Sequence, residues 1–413
     1  MGISSKHRPE RMLTGVGVVF LASAFVLLGL KDMNMTTFAL AIVVPFLFYA
    51  ATSFIPRLFP ADRLMLCIMN TLCSLGVLVL YRMDPDTGVQ QAFNYGVGLL
   101  AMVLCMVLMR VVQRWAGVNM LLALVSLLLM AAPVLFGVER NGAKAWVNIG
   151  SIGFQPSELV KVSLLLVLSF LLAKRRLILS VIFAGACLLL LMLQKDLGTA
   201  LIYYGVVMVL VFAATRNFLY LGIGAIGAVA GGVVGYGMFS HVKRRVRIWL
   251  DPWYDYNGAG YQIVQSLIAM VNGGLWGQGL GLGGATIIPA STTDFIFAVI
   301  LNEFGLLFGI CVLALYVLLF LRGISVALRS HSRFHTLLAL GATTLIAMQT
   351  FIIIGGNIKM IPLTGVTLPF ISYGGSSLLS SMCIMGILQG VASINEDDVL
   401  ADRELALMQE EYA

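Results

Sequence analysis

His241-Val242-Lys243-Arg244-Arg245-Val246-Arg247 begins the stretch whose reading decides the fold. It runs on through Asp251-Pro252-Trp253-Tyr254-Asp255, a glycine-rich part from Gly273 to Gly284, and Thr292-Thr293-Asp294-Phe295, ending near Glu303. It is the one long polar and aromatic interruption in a chain otherwise made of apolar runs. Of 413 residues, 60% are hydrophobic and 11% charged, more apolar surface than a soluble chain of this length can hide. Apolar runs of about 18–25 residues read as membrane-spanning helices. The pattern predicts about twelve, near 12–30, 36–54, 62–81, 92–112, 117–137, 156–173, 177–193, 197–214, 217–239, 295–321, 334–357 and 373–393. The expected fold is an all-α polytopic membrane protein with one large extracytoplasmic loop, 240–294. Cations, aromatics, glycines and a carboxylate gathered there suit an anionic, lipid-linked substrate.

Loop charges set the orientation. With the N-terminus inside, inner segments hold fifteen Lys and Arg, Lys6, Arg57 and Arg114 among them, against six in the short outer loops. Both termini are therefore expected on the cytoplasmic side of the membrane. The net charge of +7 is spread over membrane-flanking loops, which speaks for bilayer orientation and against nucleic acid. Trp146, Trp249, Trp253 and Trp276 all fall outside, as an aromatic belt would. The six cysteines lie within apolar runs and lack zinc or disulfide spacing, so they read as small packing residues. No cleavable signal peptide is expected. The tail 396–413 is acidic and reads as a partly frayed helix.

Four constellations carry candidate chemistry. The first is Asn141-Gly142-Ala143-Lys144-Ala145-Trp146, followed by Gln155-Pro156-Ser157-Glu158-Leu159-Val160-Lys161. Pro156 suits a first helical turn, and the helix dipole favours Glu158 there. Glu158 and Lys161 share a face and can pair, either as a structural anchor or as a functional pair. The second is Gln194-Lys195-Asp196-Leu197-Gly198-Thr199, where Asp196 either caps the next helix or contributes to a polar cavity. In the third, the basic run either neutralises a phosphate or pyrophosphate or anchors to lipid headgroups. The glycines after it suit close backbone approach to a ligand, or a floppy loop; no phosphate-loop pattern is present. Asp294 closes this stretch as a general base or as a helix cap. Glu303, nine residues on, cannot share its face on a straight helix and is expected to face another partner in the bundle. The fourth is the run from Lys359 through Pro362 and Pro369 to Ser372-Tyr373-Gly374-Gly375-Ser376-Ser377. Its irregular backbone is tolerated only if buried in protein or lining a cavity.

The ordered set of Gly142–Trp146 with Gln155–Lys161, Gln194–Thr199, Arg244 to Gln262, Thr293–Gly305 and Pro362–Ser377 resembles the SEDS (shape, elongation, division and sporulation) family of FtsW/RodA-like proteins. The resemblance covers about Asp62 to Asn395. It implies a ten-helix core at 62–395, a two-helix extension at 1–61 and a cytoplasmic tail at 396–413. It further implies a multi-pass protein of the bacterial inner (cytoplasmic) membrane that polymerises lipid II into glycan, as an inverting peptidoglycan glycosyltransferase. A class B penicillin-binding protein is the implied partner, alongside membrane lipids. By that resemblance Asp294 is the catalytic base, and Arg244, Arg245, Lys161, Glu158, Trp146, Ser372 and Tyr373 bind substrate. Arg247 would join the arginines in offsetting the leaving pyrophosphate, Glu158 would orient Lys161, and a divalent cation, Mg or Mn, would bridge the phosphates. Asn302-Glu303 replaces a frequent Glu-Glu, Ala290 a glutamate of division-type members and Lys195 a frequent proline. These departures bear on division versus elongation. Two other classes compete: a transporter that flips lipid II, suited by intramembrane charge and broken helices, and a non-catalytic scaffold.

Overall fold

A computed structural model describes residues 8–112, 115–140, 142–150, 152–258 and 260–411. Lys6, Arg114 and Asn141, invoked above, lie outside the described residues. The helices are α1 (Arg8–Asp32), α2 (Met35–Leu58), α3 (Arg63–Met83), α4 (Pro85–Val111), α5 (Trp115–Phe136), α6 (Pro156–Ala173), α7 (Leu177–Leu193), α8 (Leu197–Thr215), α9 (Phe218–Met238), α10 (Ser240–Leu250), α11 (Tyr261–Gly273), α12 (Ile296–Arg329), α13 (Arg333–Asn357) and α14 (Gly375–Glu411). Among the described residues, eleven helices are long and apolar enough to span a bilayer, and α7, with 17 residues, is a shorter apolar one. Each of the twelve predicted spans therefore has its helix.

Local chemistry fixes the ends. Asp62 caps α3 by accepting from Met65 N–H at 3.0 Å, and Pro85 and Pro156 start α4 and α6, where a missing N–H costs nothing. α3, α6, α13 and α14 form the interior. The spans α5 and α9 are mostly unburied and present leucines, isoleucines and valines outward, as lipid-facing helices do. α1 and α2 pack on α3, where Phe25, Leu28 and Val44 meet Val77, Leu78 and Tyr81.

The structure adds to the expectation in three places. Beside the expected helical body, β1 (Val138–Arg140), β2 (Ala143–Ile149) and β3 (Ile152–Phe154) form a small antiparallel sheet in order β1-β2-β3, which the sequence reading did not anticipate. The long stretch 240–294 carries two helices of its own, α10 and α11. The acidic tail is helical, as expected, and continues α14 to Glu411.

The glycine-rich part is likewise built rather than floppy. α12 breaks at Gly305, whose φ of 84° and ψ of 172° interrupt the helix. The chain from Gly274 to Gly279 fills that break. Gln278 and Gly279 N–H donate to the Asn302 and Glu303 carbonyls at 3.0 and 2.9 Å, and Leu306 N–H donates to the Gly274 carbonyl at 2.9 Å. These bonds satisfy the groups that the break frees at membrane depth. A Cβ at Gly277 would stand 2.2 Å from the Glu303 carbonyl oxygen, and one at Gly305 2.3 Å from Gly277 N. The close approach is therefore to the chain's own helix, not to a ligand. Glu303 pairs with Arg82 of α3 at 2.6 Å, so it does face a different partner from Asp294. Arg82 Nη2 and Lys31 Nζ donate to the Gly283 and Gly281 carbonyls, each at 2.9 Å, which ties α1 and α3 to the same segment.

Candidate active site

Asp294 lies in a tight turn organised around one carbonyl. The Ala290 oxygen accepts the N–H groups of Thr293, Asp294 and Phe295 at 3.2, 3.1 and 3.3 Å. Ala290 holds a positive φ of 56°, a left-handed conformation that costs a residue with a Cβ about 1–2 kcal/mol. The N-cap of α12 is Phe295, with no side-chain cap bond, so Asp294 does not cap the helix.

Two segments distant in sequence hold this turn. Ser372 Oγ donates to the Thr293 carbonyl at 2.6 Å and accepts from Leu368 N–H at 2.8 Å. Tyr373 N–H donates to the Thr292 carbonyl at 2.9 Å, while its hydroxyl donates to Gln90 Oε1 at 2.9 Å. Asn357 Nδ2, at the end of α13, donates to the Asp294 carbonyl at 2.6 Å. Ser372 and Tyr373 thus grip the backbone beside Asp294. Asn357 was missed by the sequence reading, which had only a polar residue at a helix end to go on. The irregular segment that carries Ser372 is enclosed, with Leu368, Phe370 and Ile371 buried, as the membrane-depth argument requires.

Arg245 reaches the same place from α10. Its Nη1 donates to the Thr364 carbonyl at 2.7 Å. A Cβ at the neighbouring Gly365 would lie 3.4 Å from Arg245 Nη2 and 3.6 Å from Asp294 Oδ2, so cation and carboxylate converge over that glycine. Burial raises the Asp294 carboxyl above the usual aspartate range, and the Thr293 hydroxyl and Arg245 partly oppose it. Arg244 and Arg247 are exposed, the latter over the Tyr254 ring at 5.5 Å. Trp146 is half-buried on β2, opposite Val138.

A second polar group is buried in the bundle. Lys161 Nζ meets Glu158 Oε1 at 2.7 Å and Gln349 Oε1 at 3.0 Å, and Ser380 Oγ donates to Glu158 Oε2 at 2.9 Å. Gln349 Nε2 continues to the Thr367 carbonyl at 2.9 Å. These bonds join α6, α13 and α14 to the segment that holds Arg245 and Asp294. Lys161 is 1% exposed, so its ammonium is committed to the pair. Asp196 accepts from Thr199 N–H at 3.1 Å and from Gln155 Nε2 at 2.8 Å. It caps α8, and its charge also acts on Arg245. Burial pushes the Asp196 carboxyl up, against its bonds to Thr199.

Among the described residues, no group of three or more His, Cys, Asp or Glu side chains is placed to hold a metal ion. Asp294 and Asp196 flank an arginine instead. No carboxylate cluster among the described residues is built around a divalent cation, and no step below passes through one.

Comparison with known proteins agrees on one family. The FtsW/RodA/SpoVE family, described as a cell cycle protein, matches residues 61–397. Peptidoglycan glycosyltransferase RodA of Mycobacterium tuberculosis (strain ATCC 25618 / H37Rv) is 34% identical, covering 92% of this chain and 89% of that one. Stage V sporulation protein E of Bacillus subtilis (strain 168) is 33% identical, over 80% of this chain and 96% of that one. Among solved structures, the Thermus thermophilus rod shape determining protein RodA superposes with a TM-score of 0.62 at 28% identity, covering 82% and 98% of the two chains. A chain of a peptidoglycan synthase complex, described as coordinating polymerization and crosslinking, gives 0.69 at 29%, over 82% and 98%.

Proposed function

Because this chain belongs to the FtsW/RodA/SpoVE family, we propose that this multi-pass membrane protein, a peptidoglycan glycosyltransferase, polymerises lipid II with Asp294 as its general base. The observation that carries the mechanism is the convergence of Asp294 and Arg245 over Gly365, on backbone fixed by Ser372, Tyr373 and Asn357.

The Asp294 carboxylate takes the proton from the acceptor sugar 4-hydroxyl as that oxygen attacks the anomeric carbon of the donor. The bond from that carbon to the lipid pyrophosphate breaks, and the pyrophosphate leaves with the electron pair. One displacement inverts an α-linked donor into a β-linked glycan. A carboxyl raised by burial is a stronger base than an ordinary aspartate, and general-base help of this kind contributes about 10²–10⁴ in rate. Arg245, with exposed Arg244 and Arg247 beside it on α10, offsets the charge growing on the pyrophosphate. Glu158 and Lys161 act as positioning residues, holding the 364–373 segment through Gln349 and Thr367. Trp146, half-buried on β2, is assigned to border the sugar by the resemblance alone. A divalent cation would be held by the substrate's own phosphates and would offset their charge.

The site lies at the outer face of the cytoplasmic membrane with both termini inside, which the loop charges support. A class B penicillin-binding protein is the proposed partner, since a similar chain occurs in a peptidoglycan synthase complex. The test is incubation of the purified protein and that partner with labelled lipid II. A ladder of strands cut by a muramidase supports the reading. No strands, with lipid II crossing the bilayer of liposomes, would favour a transporter.

A further inference from the structure

At the end of the bundle opposite Asp294 the chain forms an open cavity of about 960 Å³. It is formed where α6 and α8 end, where α7 and α9 begin, and at the junction of α12 with α13. The 25 residues of α13, at 1.5 Å rise each, set it roughly 37 Å from Asn357. Arg175, Arg216, Arg333 and His331 line its rim, with Leu172 and Leu337 deeper, and no lining residue is acidic. Arg333 Nη2 donates to the Ala214 carbonyl at 2.6 Å, which fixes one guanidinium over the opening. Arg175 and Arg216 stand at positive φ, 57° and 54°, at helix ends where glycine or asparagine carries no such strain. α7 and α13 both start here without a side-chain cap, which leaves their first-turn N–H groups toward the rim; α6, α8 and α12 end at the same place, so the helix dipoles offset and the positive charge is that of the arginines. Asp397 of the tail is already paired with Arg110 at 2.7 Å.

We propose that this cavity binds a phosphate group. Forked guanidiniums and helix N-termini are the donors phosphate oxygens take, and a cationic rim above leucines fits an amphiphile. The phosphate is presented either by an anionic phospholipid of that leaflet or by a soluble anion. The site is separate from the polymerising centre, and nothing in the proposed reaction uses it.

The test uses full-length protein. Lipid-stripped protein is returned to nanodiscs holding phosphatidylglycerol and phosphatidylcholine, and retained lipid is counted by native mass spectrometry. In a second arm, inorganic phosphate is titrated against the detergent-solubilised protein and thermal unfolding is followed. Wild type is expected to retain phosphatidylglycerol over phosphatidylcholine. Arg175→Asn/Arg216→Asn/Arg333→Gln is expected to weaken that preference about a hundredfold, at roughly 1 kcal/mol per cation. The charge-matched Lys174→Gln/Arg176→Gln/Arg329→Gln, changed at the same end but off the lining, is expected to keep it. A phosphate-dependent shift in wild type, lost in the first variant and without phospholipid preference, supports the site and assigns the soluble source. Equal behaviour of the two triple variants in both arms overturns the proposal. Should the first variant not fold, Arg216→Asn, a substitution suited to its left-handed backbone, must still weaken phosphatidylglycerol retention or phosphate affinity about fivefold; both unchanged overturns the proposal as well.

Discussion

Removing the ammonium of Lys161 isolates the carboxylate of Glu158. The two meet at 2.7 Å with side chains 1% and 8% exposed. Lys161→Met leaves a buried charge without its counter-ion, which costs about 3–5 kcal/mol. Glu158→Leu strands the ammonium at a similar cost. The double variant Glu158→Leu/Lys161→Met removes both charges, and replacing a buried pair by apolar groups is often neutral or stabilising. Its neighbours keep partners: Gln349 still donates to the Thr367 carbonyl at 2.9 Å, and Ser380 to the Ser377 carbonyl at 3.0 Å. Thermal unfolding of the three variants in one detergent gives the stabilities, and lipid II polymerisation below their transitions gives the activities. A positioning pair predicts two destabilised single variants and a double variant that regains both stability and most activity. A double variant as stable as wild type yet inactive would refute the reasoning, because Lys161 would then be touching substrate. Single variants of wild-type stability would refute it from the other side.

The remaining predictions test other parts of the site. Asp294 works ionised, so activity rises with pH through its pKa, and burial places that acid limb above the ordinary aspartate region. Arg245 holds this pKa down, so Arg245→Met should move the limb of kcat/KM to higher pH as well as lower the plateau; an unmoved limb would separate the two groups. Asn357→Leu removes the donor to the Asp294 carbonyl, a bond at 2.6 Å, with a stability cost of about 1–3 kcal/mol. Its kcat should fall further than that loss of folded protein explains, measured on the monodisperse fraction. Gly305→Ala puts a Cβ 2.3 Å from Gly277 N at a φ of 84° and should lower the yield of folded protein, read by size-exclusion chromatography; wild-type yield would mean the break in α12 is not fixed by that contact.

What the sequence revealed followed the range of the interactions involved. Apolar runs report burial in lipid directly, so every span was legible, including α7. The pairing of Glu158 with Lys161 follows from three-residue spacing, and Pro156 and Asp196 mark their helix starts locally. The sheet at 138–154 escaped because its strands are three to seven residues long and carry no clear alternation. α10 and α11 escaped because a basic run and a glycine-flanked segment look like loop when the surface they pack on is unknown. Gly277 was legible as a close-approach glycine, but its partner lies across the fold in α12. Asn357, Gln349 and Ser380 matter through bonds to residues 18 to 222 positions away, and no local pattern encodes those.

The most direct test of the central claim is glycan synthesis from lipid II by the purified protein with its penicillin-binding partner, wild type against Asp294→Asn. The substitution is nearly isosteric and leaves the backbone bonds of the 290–295 turn in place, so a folded, partner-bound variant is expected. The account predicts strands from wild type and a loss of about 10²–10⁴ in rate for the variant. Equal product from both would contradict it and remove Asp294 from the chemistry.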